Sequence, residues 1–286
     1  MDMICQQFGI SRQAHYQMLE RNRERQANAA MILELVRQVR RKHPNMGGRK
    51  LLFKIQPMLV QEGLTIGRDR LFDLLRSQDL LVKRKKHQRR TTIPGIFRTP
   101  NRLPGLSIAA PNQVWVCDIT YVEVEINQFA YLFLLMDLYS RFILGWHVSD
   151  SLVSEGAVFS LKMALSHLPS SRTSPIHHSD HGVQYTSHAY RDTLQRHGLL
   201  ASMGAVGNCY DNIFAERVIG TLKNEYRLGD RFVDPSQVAR LVPEVIHLYN
   251  VERPHLALNM HTPSQVYYSG PGFVQPLTIP VVDEVS

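Results

Sequence analysis

Gln113 to Val124 reads QVWVCDITYVEV, and two related segments follow at once: FAYLFLLMD from Phe129 to Asp137, and RFILGWHV from Arg141 to Val148. All three are rich in β-branched and aromatic residues, and a turn around Leu138 to Ser140 joins the last two. Three consecutive strands are expected from that pattern. Downstream the period changes. A helix is expected over Ser154 to Leu168, a short strand at PIHHS ending at Ser179, and a helix over His188 to His197. Another short strand is expected near Leu199 to Met203, and a strong helix from Asp211 to about Tyr226.

Antiparallel strands leading into alternating helices and strands imply an α/β three-layer domain of the ribonuclease H type, a mixed five-stranded sheet with flanking helices, over residues 113–230. A helix over Pro235 to Tyr249, a polar turn and an irregular tail fill residues 231–286. Upstream the chain reads as all-α. Ala29 to His43 has apolar residues at helical spacing; a second helix over 49–61 is expected to be kinked or shortened by Pro57. A third, over 67–77, turns Leu71, Leu74 and Leu75 inward and leaves Arg68, Arg70 and Arg76 outward. Helix, glycine-containing turn, helix is the outline of a helix-turn-helix over 29–82. A weaker helical signal from Gln6 to Leu19 suggests a separate segment over 1–28.

Charge separates these regions further. No acidic residue lies between Asp79 and Asp118, a stretch that holds Lys83, Arg84, Lys85, Lys86, Arg89, Arg90, Arg98 and Arg102. Those eight account for the net charge of +8, because the other 25 Lys and Arg balance 25 Asp and Glu. Residues 83–112, basic at first and then rich in Pro, Gly, Thr and Asn, are a linker that is either merely solvated or tracks phosphates. Cys5, Cys117 and Cys209 are too few and too scattered for a disulfide framework or a zinc site. No secretory signal is evident, and the longest strongly apolar run is Tyr131 to Met136. No membrane association and a reducing cytoplasmic location are expected.

Three acids stand where a sheet could gather them. Asp118 lies inside the first strand, Asp180 follows a short strand in HHSDHGVQYTS, and Glu216 lies on the Asp211 helix, off the stripe of Phe214, Val218 and Leu222. Taken singly, Asp118 could be a hydrogen-bonded buried acid, Asp180 a turn residue and Glu216 a solvated helix position. Together they fit phosphodiester chemistry, in which two divalent ions held by hard oxygen ligands assist the attacking and leaving oxygens.

Asp180 and Glu216 are separated by 35 residues, and 61 lie between Asp118 and Asp180. This resembles the D,D(35)E arrangement of retroviral-integrase-like transposases, in particular the second-frame product of the IS3 family of insertion sequences. WVCDITYV, HSDHGVQYTS and GNCYDNIFAERVIGTLKNE are similar to the family's three acid-bearing motifs, and YNVERPHLALNMHTPSQVY (Tyr249 to Tyr267) to its C-terminal signature. PNMGGRKLLFKI resembles its N-terminal helix-turn-helix, so the likeness runs from about residue 44 to about residue 267. The chain departs from the pattern at Met46 to Gly48, Pro57, Ile213 and Arg217.

The resemblance implies a transposase in which Asp118, Asp180 and Glu216 are catalytic and bind two Mg²⁺ ions, with Mn²⁺ as a substitute. It implies hydrolysis at the element's ends, attack of the freed 3′-hydroxyl on a second phosphodiester, a homo-oligomer that pairs two ends, and a possible fusion to an upstream-frame protein. DNA partners would be the terminal inverted repeats and the target. Lys223, seven residues after Glu216, is expected at terminal DNA, alongside Lys83, Arg84, Lys85, Lys86, Arg89, Arg90, Arg68 and Arg70. Asn212 either caps its helix or bonds near the metals. His178, beside Asp180, is expected to support the carboxylates or touch DNA. Trp115 reads as core. Arg253 and His255, in the ERPH turn, either clamp phosphate or brace the C-terminal helix. A ribonuclease H-like nuclease without joining activity and a domesticated DNA-binding regulator are the alternatives.

Overall fold

The structure, a computed structural model, describes residues 11–83, 99–125, 128–168, 174–204 and 213–281. The chain divides into two compact units, Met1–Lys83 and Arg84–Ser286.

The first unit is helical. Helix α1 (Arg12–Lys42) is capped by Ser11, whose side chain accepts from the Ala14 N–H, and it runs for 31 residues without a break. The helix expected from residue 29 therefore begins much earlier, and residues 12–19 are part of it rather than a separate segment. Residues 6–10 lie outside the described residues. Continuity has a local cause: Gln, Ala, Met, Leu, Glu and Arg fill this stretch, and neither Gly nor Pro occurs between Ser11 and Pro44. Helix α2 (Gly48–Gln61) passes through Pro57 without being shortened by it. Proline leaves the Phe53 carbonyl without its helical donor, and Phe53 is 49% exposed, so water can satisfy it. Helix α3 (Arg68–Ser77) buries Leu71 and Leu75 against Val36, Met46, Leu51 and Ile55. Gly48 packs closely under Phe72, whose ring would have to shift to admit a Cβ, since one there would sit 2.6 Å from it.

The second unit is built on a five-stranded mixed sheet. Strands β1 (Ser107–Ile108), β2 (Val114–Glu125), β3 (Gln128–Asp137) and β4 (Ile143–Ser149) precede helix α4 (Ser154–Leu165). Then come β5 (Ile176–Ser179), α5 (Val183–Thr186), α6 (His188–Arg196), β6 (Leu200–Met203) and α7 (Ile213–Glu225). The main sheet has the order β4-β3-β2-β5-β6. Its first three strands are antiparallel, and β5 and β6 are parallel to β2. The chain continues through α8 (Pro235–His247), a π-turn (Leu248–Glu252), a 3-10 turn (Leu256–Leu258), α9 (Pro263–Ser269) and β7 (Leu277–Thr278).

Strand alternation sorts the core into two layers. Val114, Val116, Leu132, Leu134 and Met136 face α7 and α8, packing on Ala215, Val218, Leu222, Val238 and Val242. Trp115, Cys117, Phe133 and Leu135 face the opposite side, against Ala157, Leu161, Tyr190 and Leu194 of α4 and α6. Trp115 is fully buried and donates to Asn112 Oδ1 at 3.0 Å, so it is core. On β4, a Cβ at Gly145 would lie 2.0 Å from the Ser160 carbonyl oxygen of α4, and only glycine permits that approach.

The tail is more ordered than expected. Thr262 and Gln265 form a capping box that starts α9. Beyond it, β7 pairs antiparallel with β1, and Tyr139 Oη both donates to the Val274 carbonyl and accepts from its N–H. Among the described residues no helix is long and apolar enough to cross a membrane.

Candidate active site

Asp118 and Asp180 meet through strand register. In the parallel β2–β5 pair Val116 stands opposite His178, and each acid lies two residues further along its own strand direction. Asp118 therefore projects from the same face as Val116, toward α7, while Asp180 sits one residue past the end of β5. Gly182 N–H donates to Asp180 Oδ1 at 3.0 Å, fixing the turn, and Ile119 N–H donates to Asp118 Oδ1 at 2.9 Å. Glu216 lies in the first turn of α7, exposed, while Ala215, Val218 and Leu222 of that helix are buried against β2 and its neighbours.

The electrostatics place these acids in one neighbourhood. Burial in the cleft first, then the charge of Asp180 and, more weakly, that of Glu216 push the Asp118 carboxyl from its usual 3.8 up to about 8. The Ile119 N–H and the positive charge of Lys223 oppose the rise. Asp118 keeps part of its surface open, so water reaching the cleft softens this repulsion. Among the described residues no three His, Cys, Asp or Glu side chains are close enough to enclose one ion. The acids share a field without forming a closed ligand shell. As donors they suit a hard divalent cation: three carboxylates and no thiolate, concentrated enough that one is forced toward its neutral form.

The other expected residues separate into groups. Lys223 is half-buried and lies within the field of Asp118, seven residues from Glu216 and hence on nearly the same side of α7. His178 is fully buried, with Nδ1 2.9 Å from Ser202 Oγ on β6. Its ring is thus enclosed in the sheet rather than presented to solvent. Its neighbour His177 is also buried, and its Nε2 shares a hydrogen bond with Tyr190 Oη at 2.8 Å. Arg68, Arg70 and Lys83 are exposed on the helical unit, where Arg49, Arg68, Phe72 and Arg76 line a cavity of about 390 Å³ together with Asp69 and Asp73. Arg84, Lys85, Lys86, Arg89, Arg90 and Asn212 lie outside the described residues.

Arg253 is 5% exposed and forms a two-toothed ion pair: Nε donates to Glu225 Oε2 at 2.8 Å and Nη2 to Oε1 at 3.0 Å. Burial pushes its guanidinium down, but the hydrogen bonds and charge of Glu225 outweigh that and hold it above its ordinary value. It therefore braces the last residue of α7 rather than facing solvent. His255 is half-buried in the following turn, where its carbonyl accepts from the Leu258 and Met260 N–H groups.

Sequence reasoning missed three neighbours of this brace. Arg141 follows the β3–β4 turn with φ at 62°, and its guanidinium lies 4.5 Å from the Phe214 ring centre on the first turn of α7. Asn250 accepts from the Ile143 N–H and donates to the Ile143 carbonyl, both at 2.9 Å. Glu225, the last residue of α7 and the partner of Arg253, was not among the expected site residues.

Residues 109–209 match the integrase core domain family, and residues 197–263 match a second integrase core domain family. The chain is 35% identical over 268 residues to the insertion element IS600 uncharacterized 31 kDa protein of Shigella sonnei, covering 91% of this chain and 96% of that one. It is 32% identical over 225 residues to the transposase for insertion sequence element IS629 of the same organism, covering 77% of this chain and 75% of that one. Transposase InsF for insertion sequence IS3A of Escherichia coli K12 is 37% identical over 148 residues, 51% of each chain.

Proposed function

Because the chain belongs to the IS3 family of insertion-sequence transposases, DDE-type polynucleotidyl transferases with an integrase core, we propose that Asp118, Asp180 and Glu216 are its catalytic carboxylates. The observation that carries this reading is the register of β2 with β5. It sets Asp118 beside Asp180, and α7 brings Glu216 and Lys223 into the same field.

The family uses divalent metal, and here the three carboxylates would hold two Mg²⁺ ions, with Mn²⁺ as a substitute. Bound there, the ions supply Lewis-acid neutralisation of charge on the phosphoryl group and on the attacking and leaving oxygens. The protein's own groups do the rest. Asp118 gives up its proton to become a ligand, and the β2–β5 pairing holds its strand beside the one that delivers Asp180. Lys223, on the Glu216 side of α7, offers an ammonium to the phosphate flanking the cleavage point. His178 supports the Asp180 strand from below through Ser202.

The reaction is two phosphoryl transfers in sequence. Water displaces the bridging 3′-oxygen at the element's end, leaving a 3′-hydroxyl and a 5′-phosphate. That hydroxyl then attacks a second phosphodiester; one P–O bond forms as another breaks, and the leaving oxygen takes the proton. No bond energy need be supplied from ATP. DNA is held by Arg68, Arg70, Lys83 and the basic residues 84–90 of the linker, and a homo-oligomer presents two ends together. An upstream-frame fusion would add further DNA-binding helices. Asp118→Asn, Asp180→Asn and Glu216→Gln, assayed with Mg²⁺ or Mn²⁺ on a duplex carrying the element's terminal repeat, should each lose at least about 10³-fold in both nicking and joining. Strand transfer retained by any one of them removes that residue from the set, and nicking without joining in the parent protein points to a nuclease.

A further inference from the structure

The catalytic reading leaves unexplained why a guanidinium should be buried at the far end of α7. Apolar contacts through Ala215, Val218 and Leu222 hold this helix on the sheet, but such contacts have no direction and tolerate sliding and rolling. A buried ion pair is a costly way to add stability, since well-packed apolar residues of the same volume do as well or better. Its distinctive contribution is geometric: two parallel hydrogen bonds specify both distance and angle.

The pair belongs to a chain of contacts that starts on the sheet. Asn250 grips both backbone groups of Ile143 on β4. Three residues on, past the π-turn, Arg253 lies over the Tyr249 ring at 5.5 Å and binds Glu225 through two nitrogens. Glu225 is nine residues from Glu216, about 13.5 Å along the helix and, at 100° per residue, on the opposite side. Seating Glu225 on Arg253 therefore turns Glu216 and Lys223 the other way, to where the field at Asp118 registers both. At the first turn, Arg141 holds Phe214. Asp118 and Asp180 are delivered by the β2–β5 pair and Glu216 by α7, so the placement of α7 sets where Glu216 stands relative to them.

We propose that Arg253 is a positioning residue for strand cleavage and joining. Through Glu225 it sets the rotation and lengthwise placement of α7, and so brings Glu216 to the Asp118–Asp180 pair. This rests on the carboxylate reading given above.

The test uses the full chain, the terminal-repeat duplex and Mg²⁺, with Arg253→Lys, Glu225→Gln, the double variant and Glu216→Gln. Lysine keeps the charge but cannot form the two-toothed contact. Arg253→Lys should remain folded at the assay temperature and lose about 10–100-fold in maximal rate, the scale expected when a reacting group is misplaced by about 1 Å. The DNA concentration for half-saturation should stay within about twofold, while the Mg²⁺ concentration for half-maximal rate rises several-fold. The double variant should be no worse than the worse single one. Should Arg253→Lys unfold, Glu225→Gln carries the same expectation. A folded Arg253→Lys or Glu225→Gln with the parent's rate and Mg²⁺ dependence, or additive losses in the double variant, overturns the proposal. Activity in Glu216→Gln overturns the carboxylate reading and the proposal together; an inactive Glu216→Gln beside a fully active Arg253→Lys overturns the positioning role alone.

Discussion

Replacing Asp118 by Asn should abolish activity and, in chelator, stabilise the protein. The Asp118 carboxyl titrates at about 8 in the fold against 3.8 in an unfolded chain, because burial and the charges of Asp180 and Glu216 oppose its ionisation. A folded pKa above the unfolded one means stability that is intact below 3.8 and lost progressively as pH rises toward 8. At about 1.36 kcal/mol per pH unit the full span corresponds to about 6 kcal/mol, a ceiling that solvent in the half-open cleft lowers to about 1–3 kcal/mol. Asparagine keeps the shape and carries no charge, so Asp118→Asn should recover that amount above pH 8 and little of it near pH 4. For a unit of this size the gain corresponds to about 2–4 °C in Tm per kcal/mol. The assay is thermal unfolding of parent and variant in EDTA at pH 5, 7 and 9, repeated with saturating Mg²⁺. The advantage should widen with pH and vanish or reverse when Mg²⁺ is added, since the dication removes the repulsion only where the carboxylate remains. A variant no more stable than the parent at pH 9, or an advantage equal at all three pH values, would refute the argument that these acids repel one another.

Two further outcomes concern the scaffold. Burial, and then the charge of His178, push His177 down to about 3, so it stays neutral while an unfolded chain takes up a proton below 6.5. Its contribution is present above pH 6.5 and is lost as pH falls toward 3, at up to about 1.4 kcal/mol per pH unit. Urea midpoints at pH 7 and 5, measured in the Asp118→Asn background to remove the opposing trend, should fall with acid in the parent and much less in His177→Gln; equal slopes would show that His177 is not the titrating group. Gly145→Ala drives a methyl into the Ser160 carbonyl, which is backbone and cannot swing aside, so a loss of about 3 kcal/mol is expected in urea unfolding. A change under about 0.5 kcal/mol would mean that α4 does not rest on Gly145.

What could be read before any coordinates were known follows the range of the forces involved. The β2–β3–β4 meander was legible because its alternation and its turn are local, and the α7 stripe because Val218 and Leu222 recur at helical spacing. Asp118 and Asp180 were legible as candidates, yet only the β2–β5 register shows them to be neighbours. The bounds of α1 were misjudged because an uninterrupted run of good helix formers continues a helix even where no stripe is buried. The Arg253–Glu225 pair was invisible: the partners are 28 residues apart, and each alone resembles an ordinary surface charge. Strands β1 and β7, two residues each, have no local signature because each exists only through the other.

That last pairing imposes an order in time. The N–H of Gly105 donates to the carbonyl of Ile279, and Ile108 stands opposite Leu277, so the start of the catalytic unit finds its partner only after nearly all of the unit has been synthesised. A nascent chain has the described helices of the first unit available once residue 83 has emerged, whereas β1 must wait for β7, its partner in a two-stranded sheet apart from the main one, until residue 278 arrives. A ribosome that stops short of Leu277 thus releases the helices of the first unit joined to a second unit in which β1 has no strand to pair with.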